Sequence, residues 1–232
     1  MISVIIPTFN EATQIEATIN KLRQHDEDNL IKEIIIADGG STDETILIAK
    51  KLGAKIIVSP VKGRSAQMNY GAKNATGNIL YFLHADTFPP QKFSNEIINS
   101  TKTNFEAGCF MLSFDKKHWF LKANCWFTQF DVNAIRFGDQ SLFVRKVIFE
   151  KTTGFSEKMI VLEDQEFIKR LKKICNFTII KKPVITSARK YVENGIYKTQ
   201  LIFFIIYSMY KLGYSQQKLI STYKKLIVQD KL

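Results

Sequence analysis

Five short stretches of this chain carry side chains able to do chemistry. Asp38-Gly39-Gly40-Ser41-Thr42-Asp43 sets a carboxylate at the end of an Ile-rich run, then glycines that let backbone approach a ligand and residues that cap helices. An ordinary strand-to-helix turn uses the same residue types. Lys62-Gly63-Arg64 puts two cations and a glycine at a second helix start, a setting suited to a diphosphate as well as to a solvated basic turn. Leu83-His84-Ala85-Asp86-Thr87 closes the most apolar run of the chain. A carboxylate there can hold a hard divalent cation, so Asp86 is the first metal-ligand candidate. His84 is a second, because imidazole suits Mn²⁺ better than Mg²⁺, although a lone histidine at a strand end also serves as a hydrogen-bonded structural residue. Glu163-Asp164 opens a helix and offers a general base, or simply acids favoured by the helix dipole. Asp139-Gln140 and Arg189-Lys190-Tyr191 are polar islands beside apolar runs.

These residues need a frame that gathers them, and the spacing of apolar residues predicts one. Ile- and Val-rich runs over 2–7, 31–37, 55–59 and 79–83 alternate with helix-spaced runs over 11–22, 42–52 and 65–74. Strands alternating with helices predict a parallel sheet covered on both faces, with ligands bound beyond the carboxyl ends of the strands. The chemistry-bearing residues follow those strands. After residue 105 the rhythm changes: an aromatic segment over 119–130, a Phe137-Gly138-Asp139-Gln140 turn, a strand over 142–144, a helix over 162–174 and a final extended segment over 183–189. From residue 196 the spacing predicts two helices broken near Gly213, apolar on one side and Lys-bearing on the other.

Composition narrows the class of molecule. With 45% hydrophobic residues, 11 Gly and 5 Pro in 232, the chain is neither disordered nor fibrous, and its length fits one large domain or two small ones. The 33 Lys+Arg against 22 Asp+Glu leave a formal charge of +11, which calls for anionic company. The cations are spread along the chain without a long basic arm, a pattern that favours a surface or a phosphorylated small molecule over nucleic acid. Cys109, Cys125 and Cys175 lie too far apart for a CxxC site or a disulfide framework, which fits a reducing cytosol. The opening residues run straight into a strand without a basic leader, so secretion is not expected and a cytoplasmic location is. The apolar stretch over 201–210 is shorter than the roughly 20 residues of a membrane span. Residues 198–212 are a candidate for peripheral contact with the inner face of the membrane or for a homodimer interface, with core packing as the alternative.

Taken in order, the motifs Val4-Ile5-Ile6-Pro7-Thr8-Phe9-Asn10-Glu11, 38–43, Gly63-Arg64, His84-Ala85-Asp86 and Glu163-Asp164 resemble those of the family 2 glycosyltransferases, over roughly the first 190 residues. The variants around His84, Asp139 and Arg189 look like a small bacterial subgroup often found near radical-SAM proteins and proteins of arsenic or selenium metabolism. The resemblance implies a GT-A fold: an α/β architecture with a Rossmann-like, mostly parallel central sheet flanked by helices and a C-terminal helical tail. It implies a glycosyltransferase domain over 1–195, with a nucleotide-binding half over 1–104 and an acceptor half over 105–195, and a helical extension over 196–232 packed on it. It also implies inverting transfer of a sugar from a nucleotide-diphosphate donor, UDP-sugar first, to a hydroxyl acceptor, assisted by Mn²⁺ or Mg²⁺.

By the same resemblance Pro7, Thr8, Asn10 and Glu11 border the nucleoside, Asp38 and Gly40 meet the base or ribose, and Arg64 and Ala85 lie along the nucleotide. Asp86 stands for the last carboxylate of the family's DxD, with His84 beside it; Asp164 is the base, with Glu163 next to it; Asp139, Gln140 and Arg189 lie on the acceptor or diphosphate side. The sequence departs from the family pattern twice. His84 replaces the first acid of DxD, and Gly39 replaces the second Asp of the DDGS turn. A catalytically silent nucleotide-sugar binding module on the same scaffold is the alternative. A nucleotidyltransferase ranks last, because no Gly-rich triphosphate loop is present.

Overall fold

The computed structural model describes residues 1–135 and 138–228. Phe137 of the expected turn and the last four residues of the extension lie outside them. Strands β1 (Ile2–Thr8), β2 (Ile31–Asp38), β3 (Lys55–Val58) and β4 (Ile79–Phe82) alternate with helices α1 (Ala12–His25), α2 (Thr45–Lys51) and α3 (Arg64–Asn74), as the apolar spacing predicts. Then follow β5 (Thr87–Phe88), α4 (Phe93–Lys102), β6 (Ala107–Phe114), α5 (Trp119–Phe127), β7 (Leu142–Arg145), α6 (Lys146–Lys151), α7 (Glu163–Leu171), β8 (Phe177–Thr186), α8 (Arg189–Asn194), α9 (Ile196–Lys211) and α10 (Gln216–Leu226).

The strands form one sheet in the order β3-β2-β1-β4-β7-β6-β8-β5. β1 pairs in parallel with β2 and β4, β2 with β3, and β6 with β8. β7 runs antiparallel to β4 and β6, so its start meets the carboxyl ends of the others. β1 shows why the sheet is covered on both faces. Ile2, Val4 and Ile6 pack with Ile15, Ile19 and Leu22 of α1, while Ile5 packs on the other face with Met68 and Ala72 of α3. A strand buried on both sides reads as continuous apolar sequence, and each buried Ile contributes about 1.5–3 kcal/mol.

The second half departs from the sequence expectation. The extended segment over 183–189 is the end of a longer strand: β8 starts at Phe177 and stops at Thr186, and Arg189 opens α8. The register against β6 jumps from Phe110↔Ile180 to Met111↔Pro183. Lys181 and Lys182 are thereby left in a bulge, and their charges break the alternation that marks a strand. β6 has a weaker strand signal because it opens on the small residues Ala107, Gly108 and Cys109 and has no β-branched residue among Phe110, Met111, Leu112 and Phe114.

The predicted helix pair at the end is present. Ile202 and Ile206 of α9 pack with Leu219 and Tyr223 of α10, and Val161 and Leu162 lie against that cluster. Core packing therefore accounts for one side of the 198–212 stretch. Among the described residues no helix is long and apolar enough to cross a membrane.

Candidate active site

At the carboxyl ends of β1 and β2 the loops are tied to one another by side chains. Asp38 is fully buried, and its carboxylate accepts from Thr8 Oγ1 at 3.1 Å, from the backbone N–H of Gly40 and of Ser41 at 2.8 Å each, and from Ser41 Oγ at 2.5 Å. Gly40 sits at φ +93°, which opens the turn without a Cβ penalty. Asn10, itself left-handed at φ 54°, accepts from Thr42 N at 2.9 Å through Oδ1, while its own N–H donates to Ser41 Oγ at 2.9 Å. Glu11 N donates to Thr45 Oγ1 at 2.7 Å. Pro7 pairs with Ala37 one step before the β1 register ends at Thr8 and Asp38, and Ala85 O accepts from Thr18 Oγ1 on α1. The expected nucleotide-side residues Pro7, Thr8, Asn10, Glu11, Asp38 and Gly40 thus share one rim of the sheet.

Gln67 is a residue that motif reading missed. It is buried on α3, and its amide donates to Thr8 O and to Ala37 O at 2.7 Å each, joining the two loops from below. A Cβ on Gly39 would come within 3.0 Å of Nε2 of that amide. The missing acid of the DDGS turn and the presence of Gln67 are therefore one packing arrangement. The signal that could have revealed it is a long polar side chain on the buried face of a helix that otherwise packs Ala and Met there.

On the next strand end the charged groups converge. His84 follows β4, and its Nδ1 lies 2.9 Å from Oδ1 of Asp139, which enters from the turn before β7. Burial works against a proton on His84, as does Arg64, but the hydrogen bond and charge of Asp139 outweigh both and raise its pKa. Burial pushes the carboxyl of Asp139 up, yet the His84 hydrogen bond and charge, with Lys190 and Arg64, hold it down at about 2. Arg64, the first residue of α3, donates from Nη1 to Glu163 Oε1 at 3.2 Å; its side chain is 49% exposed and that of Glu163 only 4%. Burial disfavours its charge, but Glu163, Asp164, Asp139 and Asp86 together raise its pKa.

Asp164, buried beside Glu163 at the start of α7, is the unusual group. Burial and then the charge of Glu163 push its carboxyl up to about 7, against the pull of His84 and Arg64. The residue before the pair, Leu162, is held at φ 64°, a conformation a branched side chain rarely adopts and one that concentrates at functional sites. The tail holds that turn: Gln216 Oε1 accepts from Ile160 N at 3.0 Å and from Val161 N at 3.1 Å.

Not every expected residue faces this cluster in the same way. Gln140 is buried and donates its amide to Phe110 O at 3.1 Å, bracing the turn that presents Asp139. Arg189 is exposed at the start of α8, where it lines a cavity of about 430 Å³ with Asp115, Lys116 and Ser187. Asp86 lies within electrostatic reach of Arg64. Among the described residues no group of three or more His, Cys, Asp and Glu side chains gathers to hold a metal. The protein donors are the hard carboxylate of Asp86 and Nε2 of His84, whose Nδ1 is engaged by Asp139. Such a set fits a cation that takes most of its ligands from diphosphate oxygens, and does not fit a closed protein cage.

The profile of glycosyl transferase family 2 matches residues 3–155, two thirds of the chain. The chain belongs to that family. The match stops short of Glu163 and Asp164. A protein of Rickettsia felis described as an uncharacterized glycosyltransferase is 34% identical over 96 residues, 41% of this chain and 32% of that relative. The chain thus spans about a third of the curated relatives it matches. Among solved structures, the family 2 member is similar to the mannosyltransferase PcManGT of Pyrobaculum calidifontis in complex with GDP-Man and Mn²⁺, with a TM-score of 0.69 and 16% identity over 97% of this chain and 69% of that one. It is equally similar to S. aureus TarS 1-349 in complex with UDP-GlcNAc, with a TM-score of 0.68 and 15% identity over 97% of this chain and 71% of that one. At such identities the likeness concerns the fold, which is GT-A.

Proposed function

We propose that the chain transfers a sugar, with inversion, from a nucleoside-diphosphate donor to a hydroxyl acceptor. The observation that carries this reading is the buried Asp164 beside Glu163, whose carboxyl burial and that neighbour push up, gathered with Arg64, His84 and Asp139 near the sheet edge that also carries the interlocked loops around Asp38. An attacking hydroxyl must lose a proton as the diphosphate leaves, and a base whose pKa lies near the working pH is the most effective acceptor of it. Asp164 takes that proton in this reading. Glu163 raises its basicity and engages Arg64. Pro7, Asn10, Glu11, Gly40 and Ala85 border the nucleoside on turns that the buried Thr8 and Asp38 hold in place, and Arg64 swings from Glu163 to the diphosphate. His84 is oriented by Asp139. Arg189 lies toward the acceptor, in the second half of a domain over 1–195 whose first half, 1–104, takes the nucleotide.

A divalent cation, Mn²⁺ or Mg²⁺, would be held by Asp86 together with the diphosphate, and when bound it would stabilise charge on the leaving group. UDP-sugar is the first donor to test, because a relative in fold is described with UDP-GlcNAc, with GDP-sugar second because another is described with GDP-Man. Thermal unfolding against UDP, GDP, CDP and dTDP, each with Mn²⁺, Mg²⁺ or chelator, tests the donor side. Saturation at a hundred times the dissociation constant adds about 2.7 kcal/mol. A metal-dependent shift for one nucleotide that vanishes in Asp86→Ala supports the reading. Folded protein that shifts with no nucleotide overturns it.

A further inference from the structure

The surface of α5 is unlike that of a helix finished by its own domain. Its inner side is buried through Leu121 and Cys125, yet Trp119, Ala123 and Trp126 form an exposed stripe on the outer side, with Trp119 69% and Trp126 54% exposed. Phe127 is half-exposed at the helix end, its ring 5.1 Å from that of Trp126. α9 carries a second exposed stripe at Tyr197, Leu201 and Phe204, opposite its buried Ile202 and Ile206. The Tyr197 ring lies 4.9 Å from Phe120 and 6.4 Å from Trp119, so the two stripes meet.

Around them stand the exposed lysines 116, 117, 122 and 198, and neither 116–127 nor 196–211 contains an Asp or Glu. Both Trp residues of the chain lie in this patch. Rings of Trp and Tyr with an apolar body and a polar edge, fringed mainly by cations with Asp115 and Glu193 at one margin, match the boundary of a bilayer bearing anionic headgroups. A second copy of the chain suits the patch less, since it would bring the same lysines face to face in a molecule of formal charge +11.

We propose that the α5–α9 face docks on an anionic lipid surface. α5 leaves the carboxyl end of β6, the edge that also carries Asp38, His84 and Asp139, so docking would set the site beside the bilayer and within reach of an acceptor carried in lipid. That last step rests on the transferase reading, whereas docking does not and is measured without any donor.

The test uses the chain's own tryptophans. With vesicles of phosphatidylcholine and phosphatidylglycerol, Trp emission should shift to the blue and the protein should sediment with the lipid, with far weaker effects on phosphatidylcholine alone. Replacing lysines 116, 117 and 122 by alanine should weaken binding about a hundredfold, from about fivefold for each cation of about 1 kcal/mol near an anionic surface. Emission and sedimentation indifferent to phosphatidylglycerol would overturn the proposal. So would a blue shift that grows with protein concentration in the absence of vesicles, which would assign the face to a second copy. Nucleotide-induced thermal shifts in the same preparations report separately on the donor site.

Discussion

Around Asp38 the loops are tied by neutral donors: Thr8, Gly40 and Ser41 saturate one carboxylate, and Asn10 and Gln67 pin the turns on either side. Around Asp164 the contacts come from far along the chain. Glu163 meets Arg64 across 99 residues, Asp139 meets His84 from the turn before β7, and the strained Leu162 is held from Gln216 in the tail. The first region is built as a rigid socket that is complete without a ligand. The second is a set of paired groups, Arg64 with Glu163 and His84 with Asp139, around a buried Asp164 that is kept from ionising easily. In the proposed reading, preorganised binding and a poised base place opposite demands on local stability and fall to different regions.

The sharpest way to break this contrast is at Asp164. Asp164→Asn should lower transfer by about 100- to 10,000-fold, the usual contribution of a general base, in donor-consumption assays with fold unchanged. The same substitution should stabilise the protein. The folded carboxyl holds its proton more tightly than the unfolded one, so its contribution to stability falls as pH rises from 3.8 toward about 7 and stays low above that. At pH 8 the variant should therefore unfold at a higher temperature than the wild type, and a lower one would remove the environment assigned to Asp164. In the wild type, kcat/KM should rise with pH through about 7 as the base loses its proton; an acid limb near 4 would point to an ordinary exposed carboxylate instead.

The socket should respond differently. Gln67→Leu leaves two loop carbonyls without their amide, which should cost about 1–3 kcal/mol of stability and weaken nucleotide binding, read as an earlier thermal transition with a smaller ligand-induced shift. Gln216→Ala removes two hydrogen bonds from the turn before Glu163. Its stability cost should be smaller, about 1 kcal/mol, and it should lower kcat while leaving nucleotide affinity unchanged. If Gln216→Ala impaired nucleotide binding and spared turnover, the division between the two regions would be lost.

Much of the socket could be read from the residues in order. Alternating Ile-rich runs and helix-spaced runs predict the strands that end at Thr8, Asp38 and Phe82, and the residues just past those ends are the ones that meet in space. The second half resisted reading for local reasons. A two-residue bulge of lysines hides β8, small residues hide β6, and Gln140 looks like a surface polar group although it is buried on Phe110. The pairing of His84 with Asp139 and the link of Gln67 to both loops carry no motif at all.

By itself the sequence determined the alternation of elements, the sheet edge on which chemistry collects and the family, because period-two and helix-spaced burial and short loop motifs are local properties of the chain. Only the tertiary structure decided which of the paired carboxyls has its pKa raised. Asp164 owes its raised pKa to burial and to Glu163, opposed by His84 and Arg64 from distant strands and helices, and the net balance of such long-range charges exists only once the sheet has brought them within reach.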